Sequence, residues 1–186
     1  MNRTLEILKE RRTTRKFKSE QLKDEEIEAI IEAGLYAPSA HNQQSWHFTV
    51  IQNKELIKDL NTATKNELKN IPDKNIQNMA NNKDFDLFYN APTLVIISGE
   101  NTASLPQVDC AAASENMFIA AESLGLGGCW NGFIAYYFSN NKNDPTKSKL
   151  NIPDGYTPYY AAAFGYIESR ASNPPIRKEK KVQYIK

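Results

Sequence analysis

The sequence predicts an α+β fold, and three observations carry that reading. Apolar patterning implies the order helix, helix, strand, helix, strand, helix, strand, strand, which lacks the regular alternation of a doubly wound sheet. The run "TLVIIS" at 93–98 reads as a buried strand. "GLGG" at 125–128 ends a helix instead of leaving a strand to open one, so it is no dinucleotide fingerprint. With 186 residues, no repeats and no linker, the chain reads as one domain over 1–186, large enough to bury roughly 70% of its unfolded surface.

A short opening helix places Leu5 and Leu8 on one face and runs into a basic cluster. "DEEIEAIIEAGLYAPS" follows with Ile27, Ile30, Ile31 and Leu35 at helical spacing, Asp24 as the expected N-cap, and Gly34 and Pro38 as its close. "WHFTVI" alternates as a strand from Trp46 to Ile51. A second amphipathic helix is expected from about Asn53, with Leu56, Leu60 and Ala63 on one side. Residues 69–86, rich in Asn and Lys, read as helix fragments and loop. The stretch 109–125 reads as a helix small or apolar on most sides, hence buried, with Ala111, Ala112 and Ala113 permitting close approach and "GLGG" stopping it. "CWNGFIA" and "YYAAAFGYI" read as two strands around a polar loop at "NNKNDPTKSK", and "PPIRKEKKVQYIK" as an extended arm.

Composition excludes several classes. Lys and Arg number 23 against 22 Asp and Glu, leaving a net charge of +1 and an isoelectric point near 7.7, which does not suit a nucleic-acid binder. The first residues lack the apolar stretch of a signal peptide, and no run approaches the roughly 20 residues that span a bilayer, so neither export nor membrane insertion is expected. Cys110 and Cys129, without CxxC spacing, suit a reducing cytoplasm. His41 and His47 have no ligand partners at metal spacing, so no metal site is expected, and no nucleophile elbow accompanies them. Cys129 reads as a core residue, because nothing adjacent in sequence would activate it.

The charge is concentrated locally. "ERRTTRKF" puts Arg11, Arg12, Arg15 and Lys16 within six positions. A solvated helix end would explain this blandly. Neighbouring like charges at about 6 Å, however, repel by about 0.7 kcal/mol even in water, and arginine forks suit bidentate phosphate binding. Thr13 adds a hydroxyl donor, and Arg177, Lys178, Lys180 and Lys181 form a second cluster able to meet the same phosphate. In "APSAHNQQSW" at 37–46, Pro38 and Ser39 form a stiff turn, and Asn42 and Gln44 offer donors and acceptors.

In order and spacing, "RRTTRKF", "APSAHNQQSW", "FYNAPTLVII", "SENMFIAAESLGLGGCWNGF" and "PDGYTPYYAAAFGY" resemble the FMN-dependent nitroreductase family over most of the chain. The resemblance implies an α+β sandwich with a central, mainly antiparallel sheet flanked by helices. It also implies a homodimer that exchanges C-terminal arms and holds FMN at its interface. Arg11, Arg12 and Thr13 would hold the ribityl phosphate, Arg177 would close on it, and Arg15 would face N1 and the C2 carbonyl. Pro38, Ser39 and Asn42, in a loop with Ala40 and Gln44, would contact the isoalloxazine from the partner subunit. Asn131 and Gly132 would present backbone donors near N5 and O4. No protein side chain is required as a catalytic acid or base, since flavin N5 carries the chemistry.

The implied activity is a ping-pong transfer from NADH or NADPH to a small acceptor such as a nitroaromatic or quinone. Thr13 stands for the usual Ser, Ala40 for a second Ser, Ser45 for the usual Pro before Trp46, and Asn131 where some members have Glu. The last two changes motivate the alternative of an FMN storage or sensor protein with little turnover.

Overall fold

The computed structural model describes residues 2–140, 149–171, 173–178 and 181–186. The polar loop expected around 140–149 falls mostly on 141–148, and it and Lys180 lie outside the described residues. Among those described, the chain runs α1 (Arg3–Glu10), β1 (Thr14–Phe17), α2 (Asp24–Leu35), β2 (Trp46–Ile51), α3 (Lys54–Leu68), α4 (Lys74–Asn81), β3 (Thr93–Glu100), α5 (Pro106–Ser123), β4 (Leu126–Asn131), α6 (Ile134–Asn140) and β5 (Tyr156–Arg170).

Strand β3 explains the layers. It pairs antiparallel with β2 along one edge and with β5 along the other, and β5 pairs antiparallel with β4 on its far edge. Successive side chains of a strand point to opposite faces. Leu94 and Ile96 therefore enter one core with Leu60 and Leu68 of α3, Ala80 of α4 and Tyr137 of α6. Val95 and Ile97 enter a second core with Ile30 of α2 and Ala113, Met117 and Phe118 of α5. A strand covered on both faces has no polar side to alternate, which is why "TLVIIS" reads as a continuous apolar run. The same placement makes α5 apolar on most sides.

Several boundaries differ from the sequence reading. The basic cluster does not stay on a helix end: β1 carries Arg15 and Lys16, and pairs antiparallel with Arg170, Ser169 and Ile167 of β5. Its register shifts twice, so Thr14 and Phe17 are both buried around two exposed residues and the period of two is hidden. The second half of "CWNGFIA" is helical. Ile134, Tyr137 and Phe138 are buried at helical spacing in α6, opened by the Phe133 N–H donating to Asn131 Oδ1 at 2.8 Å. The N-cap of α2 is Lys23, whose N–H donates to Glu26 Oε2 at 2.9 Å, and not Asp24. Gly34 lies buried inside α2, where a Cβ would strike Met117 of α5; it serves helix packing and not termination.

Only Gly125, with φ of 74°, acts as the stop after α5. Gly127 and Gly128 belong to β4, and Thr13 bridges to Gly128. A Cβ on Gly127 would stand 2.8 Å from Cβ of the buried Thr14, so the bare backbone is what lets the arginine-bearing corner lie against β4. Gly127→Ala is expected to lower unfolding free energy by about 1–3 kcal/mol, read by denaturant titration; no change would show that β1 can retreat freely.

Candidate active site

The arginine corner is built where α1 ends. Arg11 is the C-cap, with its N–H on Ile7 O. Arg12 turns back over the helix end, and its Nη1 donates to the Lys9 and Arg11 carbonyls, each at 2.7 Å. A cation there meets the negative end of the helix dipole and its orphan acceptors. Arg11 Nε lies 3.7 Å from Glu115 Oε1, and its guanidinium sits over the Phe118 ring at 6.0 Å. The chain thus answers part of the crowded charge itself. Two buried groups are left over there: Arg12 Nε and Thr14 Oγ1 have no hydrogen-bond partner among the described residues. Arg15 donates from Nε to the Tyr89 hydroxyl at 3.3 Å and lies 5.8 Å from that ring's centre. Burial raises the Cys129 thiol's pKa while the Arg15 charge opposes the rise, which places Arg15 beside β4.

The end of β4 is fixed from below. Asn131 is buried, donating from Nδ2 to Leu87 O at 2.7 Å while its Oδ1 takes the Phe133 N–H. Its side chain faces the loop between α4 and β3. Gly132 next to it has open space where a Cβ would stand, with no atom within 4 Å. Tyr89 and Asn90 adopt φ of 58° and 53°, and Asp86 Oδ1 takes the N–H groups of Phe88 and Asn90 at 2.8 and 3.2 Å.

Loop 38–45 lies elsewhere. Its Ala40 N–H donates to Asp109 Oδ1 at 2.9 Å and its Ser45 hydroxyl to Asp109 Oδ2 at 2.7 Å. Ser39 Oγ takes the Gln44 N–H at 2.9 Å, and the Asn42 and Gln44 side chains, joined at 3.2 Å, are exposed. Pro38 is exposed as well. Asp109 sits in the first turn of α5, whereas Phe118 and Glu122, which line a hollow with Arg11 and Arg12, sit roughly 14–20 Å further along its axis at about 1.5 Å per residue.

A profile of the nitroreductase family matches residues 8–166. The chain belongs to the nitroreductase family. A nitroreductase with bound FMN from Bacteroides fragilis is 32% identical, with each chain covered completely and a TM-score of 0.92. A second nitroreductase with bound FMN, from Desulfitobacterium hafniense, is 29% identical with full coverage of both chains and a TM-score of 0.91. The FMN reductase (NADPH) of Bacillus subtilis is 26% identical over 188 residues, 94% of this chain and 70% of that protein.

For a nitroreductase, the candidate residues fall into three groups. Arg11, Arg12, Thr13, Arg15, Asn131 and Gly132 gather along β1 and β4. Pro38, Ser39, Ala40, Asn42 and Gln44 gather on the loop held by Asp109. Arg177 stands apart, exposed on the C-terminal arm with no hydrogen bond or ion pair among the described residues. Asp109 and Tyr89 escaped the sequence reading. Tyr89 lies in the quoted motif "FYNAPTLVII", and a conspicuous sign for Asp109 is an acid opening an otherwise small and apolar helix.

The donor set of the corner suits an anion such as a phosphate. A bound anion would supply the acceptor that Arg12 Nε lacks, and the open backbone at Gly132 leaves room for a flat ring edge. Asn131 turns its side chain inward, to the Leu87 carbonyl and the Phe133 N–H. Among the described residues no group of three His, Cys, Asp or Glu could hold a metal ion, and no helix is long and apolar enough to cross a membrane.

Proposed function

We propose that the protein is an FMN-dependent oxidoreductase that takes a hydride from NADH or NADPH and then passes two electrons to a small acceptor, a nitroaromatic or quinone, by a ping-pong mechanism. The observation that carries this reading is the arginine corner with its unpaired buried Arg12 Nε, seated against Gly128 of β4, the strand that leads on to the open backbone of Gly132. FMN, when bound, supplies the hydride-accepting N5.

The chain's own residues bind and orient. Arg11, Arg12 and Thr13 would hold the phosphate, and charge-assisted bonds of this kind contribute about 1.5–3 kcal/mol each. Arg15, steadied by Tyr89, would hold a positive charge near N1 and the C2 carbonyl, where negative charge grows on reduction. The Asn131 and Gly132 N–H groups would serve N5 and O4 of a bound ring.

A homodimer completes the site. Loop 38–45 is held well along α5 from the same chain's corner, which supports a partner's loop as the cover over the ring. On the arm, Ile176, Val182, Tyr184 and Ile185 are exposed in the single chain, as expected of apolar side chains awaiting a second subunit, and Arg177 rides on that arm to the phosphate. Two buried free thiols suit the cytoplasm.

Absorbance tests the proposal. Purified protein mixed with FMN and desalted should retain flavin bands that bleach with NADH or NADPH and return with a quinone. Absent bands, or bands that neither nucleotide bleaches, would overturn it.

A further inference from the structure

We propose that Asp109 and Ser45 form a positioning pair that sets the height and tilt of loop 38–45 over the flavin ring. This rests on the reading that FMN binds and that its ring lies against this loop.

Asp109 is buried to 2% exposure, deep enough that its oxygens require partners. It finds them at the two ends of one short loop, the Ala40 N–H at 2.9 Å and the Ser45 hydroxyl at 2.7 Å. Between those ends the backbone is held in a shape that it would not adopt unaided. His41, Asn42 and Gln44 have φ of 52°, 54° and 49°, left-handed values that side chains other than glycine rarely take. Such a segment keeps one conformation only where its surroundings over-determine it, and here the ends are tied to a single carboxylate on a packed helix. Further ties come from Ser39 Oγ to the Gln44 N–H and from Gln43 Oε1 to the Ser104 N–H, each at 2.9 Å. The loop is rigid at its root while its Asn42 and Gln44 side chains stand bare.

The pair also accounts for the serine. A proline at 45 would fix its own φ but bring no hydroxyl. Here Ser45 is 1% exposed, and its hydroxyl bond to Asp109 takes over the fixing, while its carbonyl accepts the Glu100 N–H at 2.8 Å at the edge of the sheet. Ser45 and Asp109 are both buried beneath the loop. They act through the loop.

The test uses full-length Ser45→Ala, Asp109→Asn and the double variant, with FMN and riboflavin affinities read from flavin fluorescence and ring geometry from visible circular dichroism of the bound flavin. Each single variant is expected to bind both flavins about tenfold more weakly, leaving the FMN-to-riboflavin preference unchanged because the phosphate end is untouched, and to alter the visible dichroism. The double variant should be no weaker than the worse single, the sign of two groups acting as one. Wild-type affinities with an unchanged dichroism in Ser45→Ala, which removes one hydroxyl and should fold, would overturn the pair while leaving the flavin reading intact. Strictly additive losses would also overturn it. A wild-type protein that binds neither flavin would sink the flavin reading and the pair with it.

Discussion

Replacing Arg12 with alanine is expected to weaken FMN binding about a hundredfold while changing riboflavin binding by less than about threefold. The magnitude follows from losing one or two charge-assisted hydrogen bonds at about 1.5–3 kcal/mol each. Riboflavin has no phosphate, so the ratio of the two affinities isolates the contact with that group. The substitution also removes the two carbonyl bonds over the end of α1, with an expected stability cost of about 0.3–1 kcal/mol that a thermal melt reads separately. Arg12→Lys keeps the charge but loses the planar fork, and should fall between the two, at about a tenfold loss. An unchanged FMN-to-riboflavin ratio in Arg12→Ala would show that the buried Nε serves no phosphate.

Arg15→Gln is the second large effect, and it falls on electron affinity instead of grip. A unit charge about 4 Å from the growing negative charge is worth about 4 kcal/mol at the effective dielectric of a protein surface, which for a two-electron couple corresponds to about 90 mV. The sign is fixed by which form the cation favours. In the proposed placement Arg15 would stabilise the reduced ring, so its loss should lower the midpoint potential and slow hydride uptake from NADH or NADPH. Spectroelectrochemical titration of the bound flavin measures the shift. A potential within about 15 mV of wild type would place the guanidinium elsewhere, with Tyr89 as its sole business.

What the sequence disclosed, and what it withheld, divides along the range of the interactions. Strand β2 at Trp46–Ile51, the start of α3 after Asn53 and the buried β3 were legible, because patterning and caps within a few residues determine them. The family resemblance was legible because its motifs are local as well. Strand β1 was hidden by a doubly shifted register, and α6 by aromatic residues that suit a strand equally.

In the site, the crowding of Arg11, Arg12 and Arg15 was evident. The acceptors that partly relieve it were not: Glu115 lies far along the chain, and the Lys9 and Arg11 carbonyls become available only once α1 ends where it does. Asn131 stood out only as a departure from the family, and the Leu87 carbonyl that turns its side chain inward lies 44 residues away. Asp109 meets its loop across 69 and 64 residues, a separation at which no local pattern signals a contact.

The central claim is that one redox cofactor lies between the arginine corner of one chain and loop 38–45 of another. Native mass spectrometry of the FMN-loaded protein tests this most directly. The expected species is a dimer of the 21.1 kDa chain carrying two FMN, which sheds its flavin when the subunits part. A monomer that retains FMN, or a dimer that takes up none, would contradict it.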